Sequence, residues 1–365
     1  MSSAPIPQAH GELSPSWLTS ALREAGVLRD ARLTFVAAQS IGVGTGFVGD
    51  IARLRLSYDR VEPDAPASLI AKLPTSDARV RMMSIAARLF EREIRFYSEI
   101  AGGLDLRTPR RYYGAMDLTE HRYLLLLEDL APARAGDQVA GCSVADAELA
   151  LRSIARLHAA WWQSERLAEL EWMPVQAAVH PSVEPWWDAM WRQCVERAGD
   201  RIPAATLRVG EGLGAKAMYA LARMGEAPQT VVHGDFRLDN VFFEAGAQGD
   251  TLALVDWQLS TRGSAALDLG YFLCGALSPS DRKAHEMRLL RAWHDELTAR
   301  GVRGYAFDDA VRDYRLSVVV CLAFVTLMLN VIESADERAG RLFDSLLERT
   351  AAAAAELDLG ELLPG

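Results

Sequence analysis

Residues 231–258 read VVHGDFRLDNVFFEAGAQGDTLALVDWQ. At the centre stand His233, Gly234, Asp235, Phe236, Arg237, Leu238, Asp239 and Asn240, and sixteen residues after Asn240 an apolar run ends in Asp256. An acid and an amide five apart, with a second acid returned by a short hairpin, supply what phosphoryl transfer from a nucleotide needs. One carboxylate, Asp235, orients the attacking hydroxyl or accepts its proton. The amide oxygen of Asn240 and the carboxylate of Asp256 hold a metal ion on the phosphates.

The spacing H-x-D-x-x-x-x-N matches the catalytic loop of protein kinases. Asp256-Trp257-Gln258 stands where a kinase carries D-F-G, with Trp-Gln replacing Phe-Gly and Gly234 replacing the loop arginine. HGDFRLDN, then LVDWQ, then ALDLGYF resembles the aminoglycoside phosphotransferase and choline-kinase group of small-molecule kinases. The Asp-aromatic-Gln triplet is most similar to its ecdysteroid-kinase-like branch. The resemblance implies an α+β, bilobal protein-kinase-like fold. A small antiparallel-sheet lobe with a helix, residues 1–127, binds nucleotide, and a larger, mainly helical lobe, residues 128–365, carries catalysis and substrate. ATP and Mg²⁺ are the cofactors so implied.

Toward the N-terminus, Ser14-Pro15 forms a cap with Pro at the first helical position and opens a helix over Ser16–Glu24. Leu33–Ala37 fits a first strand. Gly44, Gly46 and Gly49 make a literal G-x-G-x-x-G, preceded by Gly42. A dinucleotide site would need a helix next. Instead Ile51–Tyr58 alternates, with Ala52, Leu54, Leu56 and Tyr58 on one face, which predicts a strand. Strand, glycine turn, strand suits a phosphate-covering hairpin, so Gly42, Gly44 and Gly46 are nucleotide-binding candidates; a ligand-free hairpin is the alternative.

SLIAKL, Ser68–Leu73, carries Lys72 near the end of an apolar strand, either a solvated strand end or the ammonium that holds the nucleotide's phosphates. The apolar spacing from Met82 to Tyr97 predicts one helix over Arg79–Ile100, with Glu91 and Glu93 on its polar face. By the family's F-x-x-E-x-x-F-Y pattern the partner of Lys72 is Glu93, with Glu91 as competitor. RYLLLLEDL, residues 122–130, reads as a buried strand; in the look-alike family it leads to the hinge, whose backbone around Glu128 and Leu130 binds adenine.

Ser143 caps a helix through Trp162, with His158 read as a satisfied core histidine. Six of nine tryptophans, Trp161, Trp162, Trp172, Trp186, Trp187 and Trp191, fall close together, as core packing or as an aromatic wall for an apolar acceptor. Asp268 lies in an apolar run, where an unpaired carboxylate is costly, so it should accept hydrogen bonds from the catalytic-loop backbone. His233 is expected to brace that loop. Arg237 and Asp239 face substrate or pair with each other, and Arg262 is a surface cation or a substrate contact.

A net charge of −10 argues against a nucleic-acid partner. The four cysteines, Cys142, Cys194, Cys274 and Cys321, form no C-x-x-C pair and read as reduced. Val318–Ile332 falls short of the ~20 apolar residues a spanning helix needs, so no membrane partner is expected and a cytoplasmic location is. With no A-P-E and only about a dozen residues between Asp256 and Asp268, a protein acceptor is disfavoured. The expected activity is phosphorylation of a small-molecule hydroxyl, apolar or amphipathic. The alternatives are an aminoglycoside acceptor, met by acids after residue 280, and a catalytically silent nucleotide-binding protein.

Overall fold

The computed structural model describes residues 5–41, 49–178, 183–246, 250–328 and 337–364. Gly42, Gly44 and Gly46 lie outside the described residues. The chain divides into two units, Met1–Gly103 with Arg107–Ala133, and Leu104–Leu106 with Arg134–Gly365. The sequence placed the boundary at 127/128. Glu128 and Asp129 stay with the first unit because their carboxylates are tied there, Glu128 to Arg107 and Asp129 to Arg53 and Ser68.

The first unit is built on five antiparallel strands: β1 (Leu33–Ser40), β2 (Gly49–Tyr58), β3 (Ser68–Pro74), β4 (Arg111–Asp117) and β5 (Arg122–Glu128), in the order β1-β2-β3-β5-β4. Helix α1 (Pro15–Glu24) begins as its cap predicts, the Ser14 hydroxyl accepting from Trp17 N–H at 3.2 Å. Its Leu18 and Leu22 pack with Leu54, Leu69, Ala71, Leu73, Leu124 and Leu126. Side chains alternate across a strand, so the pleat that turns Leu69, Ala71 and Leu73 into this core turns Lys72 to the other face.

The single helix expected over 79–100 is two. Helix α2 (Ala78–Ala86) and helix α3 (Leu89–Arg95) meet at Arg88, whose φ of 54° is left-handed and ends the first. The break is fixed by side chains: Arg88 pairs with Glu91, and the Arg92 guanidinium donates to the Ala87 carbonyl.

The second unit is mainly helical. Its long helices are α4 (Val144–Trp161), α5 (Glu184–Ala198), α7 (Leu213–Glu226), α8 (Ala266–Ala276), α9 (Pro279–Ala299), α10 (Phe307–Leu327) and Glu337–Glu356, with a shorter α6 (Ala204–Gly210). The Ser143 hydroxyl caps α4 through Asp146 N–H at 3.1 Å. Helix α10 is buried from Val318 to Ala323, so this part of the apolar run is core, residues 329–332 lying outside the described residues, and no helix among the described residues is long and apolar enough to cross a membrane. Two small sheets carry the loops: β7 (Gln229–Val232) pairs with β10 (Thr261–Ser264), and β6 (Arg134–Ala135), β8 (Val241–Glu244) and β9 (Thr251–Leu254) form the other. Residues 233–240 bridge β7 and β8, and the β8–β9 hairpin returns the chain to Asp256.

Candidate active site

Asp268, in the first turn of α8, is fully buried and accepts three hydrogen bonds. Its carboxylate takes His233 N–H at 2.8 Å, Gly234 N–H at 2.9 Å and His158 Nε2 at 3.1 Å. The role its apolar setting predicted is the one it has. His158 is also satisfied: Trp293 Nε1 donates to its Nδ1 at 3.1 Å. An indole N–H can only donate, so Nδ1 is bare, Nε2 carries the proton, and the imidazole is neutral.

Gly234 has φ 80°, and a Cβ there would overlap the Leu259 carbonyl oxygen. Glycine therefore replaces the arginine of protein kinases for a steric reason. The His233 ring braces the loop as expected. Its Nδ1 accepts from Asp235 N–H at 3.3 Å, which leaves Nε2 to donate to the Val255 carbonyl at 3.0 Å. Val255 N–H in turn donates to the Asn240 carbonyl at 3.1 Å. Both backbone groups of Val255 are thus held by the catalytic loop, and the next residue, Asp256, is fixed beside it. Asp256 has φ 65°, a left-handed conformation that a non-glycine residue adopts at some cost and that recurs at functional sites.

Within the loop, Asn240 Nδ2 donates to the Asp235 carbonyl and to Asp235 Oδ2, both at 2.9 Å. That orientation commits the nitrogen and leaves the amide oxygen as the group able to bind a cation. Arg237 does more than pair with Asp239. It donates to Asp235 Oδ2 at 3.2 Å and to Asp239 Oδ2 at 3.0 Å. Burial opposes its charge, but Asp235, Asp239 and Asp256 outweigh that and hold the guanidinium above the ordinary arginine range. Tyr271 is a third partner of Asp235. Burial first, then the neighbouring carboxylate, push its phenol well up, so the hydroxyl stays protonated and donates.

Two supports escaped the sequence. Gln138 Oε1 accepts Leu238 N–H at 2.7 Å, and Gln138 N–H donates to Asp239 Oδ1 at 3.0 Å. Tyr271 did leave a signal, standing three residues after Asp268 and so one helical turn along. Arg262 is tied to the fold, donating through Nε to the Met173 carbonyl and through Nη1 to the Leu167 carbonyl, both at 2.9 Å.

In the first unit Lys72 Nζ lies 3.0 Å from Glu93 Oε1 and 2.8 Å from Oε2, the side chains 7% and 2% exposed. Glu91 is occupied by Arg88 at 2.8 Å and Arg95 at 2.9 Å, so Glu93 is the partner. Gly49 faces the stem of Lys72, a Cβ there coming within 3.3 Å of its Cε. Glu128 uses its side chain on Arg107 and Arg110 N–H and its own N–H on the Arg110 carbonyl, while the Leu130 carbonyl accepts Ala133 N–H.

The tryptophans divide. Trp161, Trp172, Trp187 and Trp191 are buried as packing, whereas Trp186 is 46% exposed and Trp162 packs at a tilt on Tyr305 and Trp293. Of the acids after residue 280, Glu286 pairs with Arg282, Glu296 with Arg300 and Asp309 with Arg312.

A family model described as "Ecdysteroid kinase-like family" matches residues 43–301, more than half of the chain. The chain belongs to the ecdysteroid kinase-like family. A microcompartment-associated aminopropanol kinase superposes with a TM-score of 0.56 at 13% identity, over 94% of this chain and 98% of that one. A Ralstonia eutropha protein put forward as an aminoglycoside phosphotransferase does so with a TM-score of 0.54 at 15% identity, over 95% and 98%. Likeness at such identities is one of fold, and the fold is kinase-like. The chain is also 39% identical over 67 residues to mouse acyl-CoA dehydrogenase family member 10, a match spanning 18% of this chain and 6% of that protein.

Proposed function

We propose that this ecdysteroid kinase-like protein is an ATP-dependent phosphotransferase that passes the γ-phosphoryl group to a hydroxyl of a small molecule. The observation that carries the proposal is the bracing of Asp235, Asn240 and Asp256 through the two backbone groups of Val255.

Asp235 orients the acceptor hydroxyl and receives its proton, while Arg237 and Asn240 hold its Oδ2. With Oδ2 held by those donors, positioning contributes more than basicity. Asn240, through its amide oxygen, and Asp256 are the residues that would hold the metal. Mg²⁺ is commonly held by one or two carboxylates completed by substrate phosphates and water, and this donor set is of that kind. A bound ion there would supply neutralisation of the phosphate charge. Lys72, oriented by Glu93, serves the nucleotide's phosphates, and the backbone at Glu128–Leu130 serves its base. Glu286, Glu296 and Asp309 are committed to arginines, which argues against these three acids as an aminoglycoside's acidic pocket.

The test is ADP formation from Mg·ATP against a panel of small alcohols. At least one alcohol should stimulate ADP release and yield a phosphate monoester by mass spectrometry. Stimulation by none, in a protein that binds Mg·ATP, would support the silent alternative.

A further inference from the structure

The triplet Asp256-Trp257-Gln258 ends in a residue that the roles above do not use. Gln258 is 4% exposed, and its Nε2 is buried with no hydrogen-bond partner among the described residues. Gln138 offers the contrast. Its Nε2 is also unpartnered, but its Oε1 accepts Leu238 N–H, so that side chain has work within the fold. The Gln258 amide makes no such bond. A buried amide left unpaired lowers stability, and it is completed by ordered water or by a ligand.

The position of Gln258 says which ligand. It lies two residues beyond Asp256 and immediately before Leu259, whose carbonyl abuts Gly234, the residue preceding Asp235. Three residues on, Thr261 Oγ1 is likewise buried and unpartnered, and Thr261 stands opposite Val232 in the β7–β10 ladder. The strip 258–261 therefore flanks the loop that presents Asp235, on which the acceptor hydroxyl would be received.

We propose that Gln258 is a specificity-determining residue whose buried amide binds an oxygen of the acceptor alcohol. The inference rests on the phosphotransferase reading and deepens it: the acceptor carries a neutral hydrogen-bonding oxygen that meets this amide. An amide with no internal partner can be removed without cost to the fold, whereas a structural amide cannot, and that difference makes the idea testable without substrate.

Gln258→Met, matched in length, is the variant, and Gln258→Leu repeats the test should packing fail. Three quantities are compared with the parent protein: melting temperature without ligand, melting shift with Mg·ATP, and KM for the alcohol the panel identifies. The expected result is an unchanged or higher melting temperature, an unchanged Mg·ATP shift, and a KM for the alcohol raised about tenfold or more, as loss of ~1.4 kcal/mol gives. A fall in melting temperature of about 5 °C or more in both variants would mean the amide works for the fold and overturn the proposal. So would a weakened Mg·ATP response, which assigns Gln258 to the nucleotide, or an unchanged KM for the alcohol. If the parent protein turns over no alcohol, the phosphotransferase reading fails and this proposal with it; active parent and unaffected variants overturn this proposal alone.

Discussion

Replacing Asp268 by asparagine tests the anchor of the catalytic loop. The carboxylate accepts from His233 N–H, Gly234 N–H and His158 Nε2, at 2.8, 2.9 and 3.1 Å, in a site with no solvent exposure. Two of these bonds end on Oδ2 and one on Oδ1. Asparagine offers one oxygen. Placed at Oδ2 it keeps two bonds and sets its NH₂ against Gly234 N–H; reversed, it keeps one. At least one buried donor is orphaned, at about 1–3 kcal/mol, and each surviving bond weakens from charge-assisted to neutral by about 1 kcal/mol. Together the loss is about 3–5 kcal/mol. For a unit of this size each kcal/mol lowers the melting temperature by roughly 2–4 °C, so Asp268→Asn should melt about 6–20 °C below the parent in a calorimetric scan. A variant melting within about 2 °C of the parent would refute the reasoning, because a buried carboxylate with three donors cannot be neutralised at no cost.

Glu93→Gln should depress phosphotransfer and destabilise the first unit by about 3–5 kcal/mol, since it breaks the buried Lys72–Glu93 ion pair. Glu91→Gln should cost stability only, and steady-state kinetics on both variants separates the two glutamates. Acid lability follows from Glu128 and Asp129. The Arg107 hydrogen bonds hold Glu128 below the usual carboxylate range, and for Asp129 the Arg53 and Ser68 contacts outweigh burial to the same effect. Folded values below unfolded ones mean a contribution fully present above about pH 4 and lost as pH falls through the folded values. Urea midpoints should therefore drop from pH 5 to pH 3, less steeply for Asp129→Asn; parallel curves would remove Asp129 from the account. Burial pushes the Cys142, Cys194 and Cys274 thiols up to about 12. A thiol-specific chromogenic reagent at pH 8 should titrate these three slowly in the native protein and rapidly in urea.

How much of this could be read in the sequence depended on how local each signal was. Asp235, Asn240 and Asp256 were legible because one loop and one hairpin hold them together, so their spacing carries their geometry. Asp268 was legible through cost: an acid in an apolar run must have partners. Glu93 and Glu91 lie on one short helix two residues apart, and only the face that meets Lys72 separates them. The helix break at Arg88 carries no glycine or proline, and it is made by Glu91 and Arg92 pairing back onto the chain. Gln138 supports Leu238 from 100 residues away, a contact that leaves no local pattern. The tryptophans were equally opaque, since apolar composition does not say whether a ring faces core or solvent; packing put four of six in the core.

The central claim is that Asp235 receives the proton of an alcohol while Asn240 and Asp256 hold the metal. The most direct measurement is single-turnover transfer of the γ-phosphoryl group from Mg·ATP to the identified alcohol by Asp235→Asn, with Mg·ATP binding followed in parallel by calorimetry. The account predicts a rate lowered by about 10²–10⁴-fold, the range for loss of an acid–base group, with nucleotide affinity retained. A variant that transfers at the parent rate would contradict it.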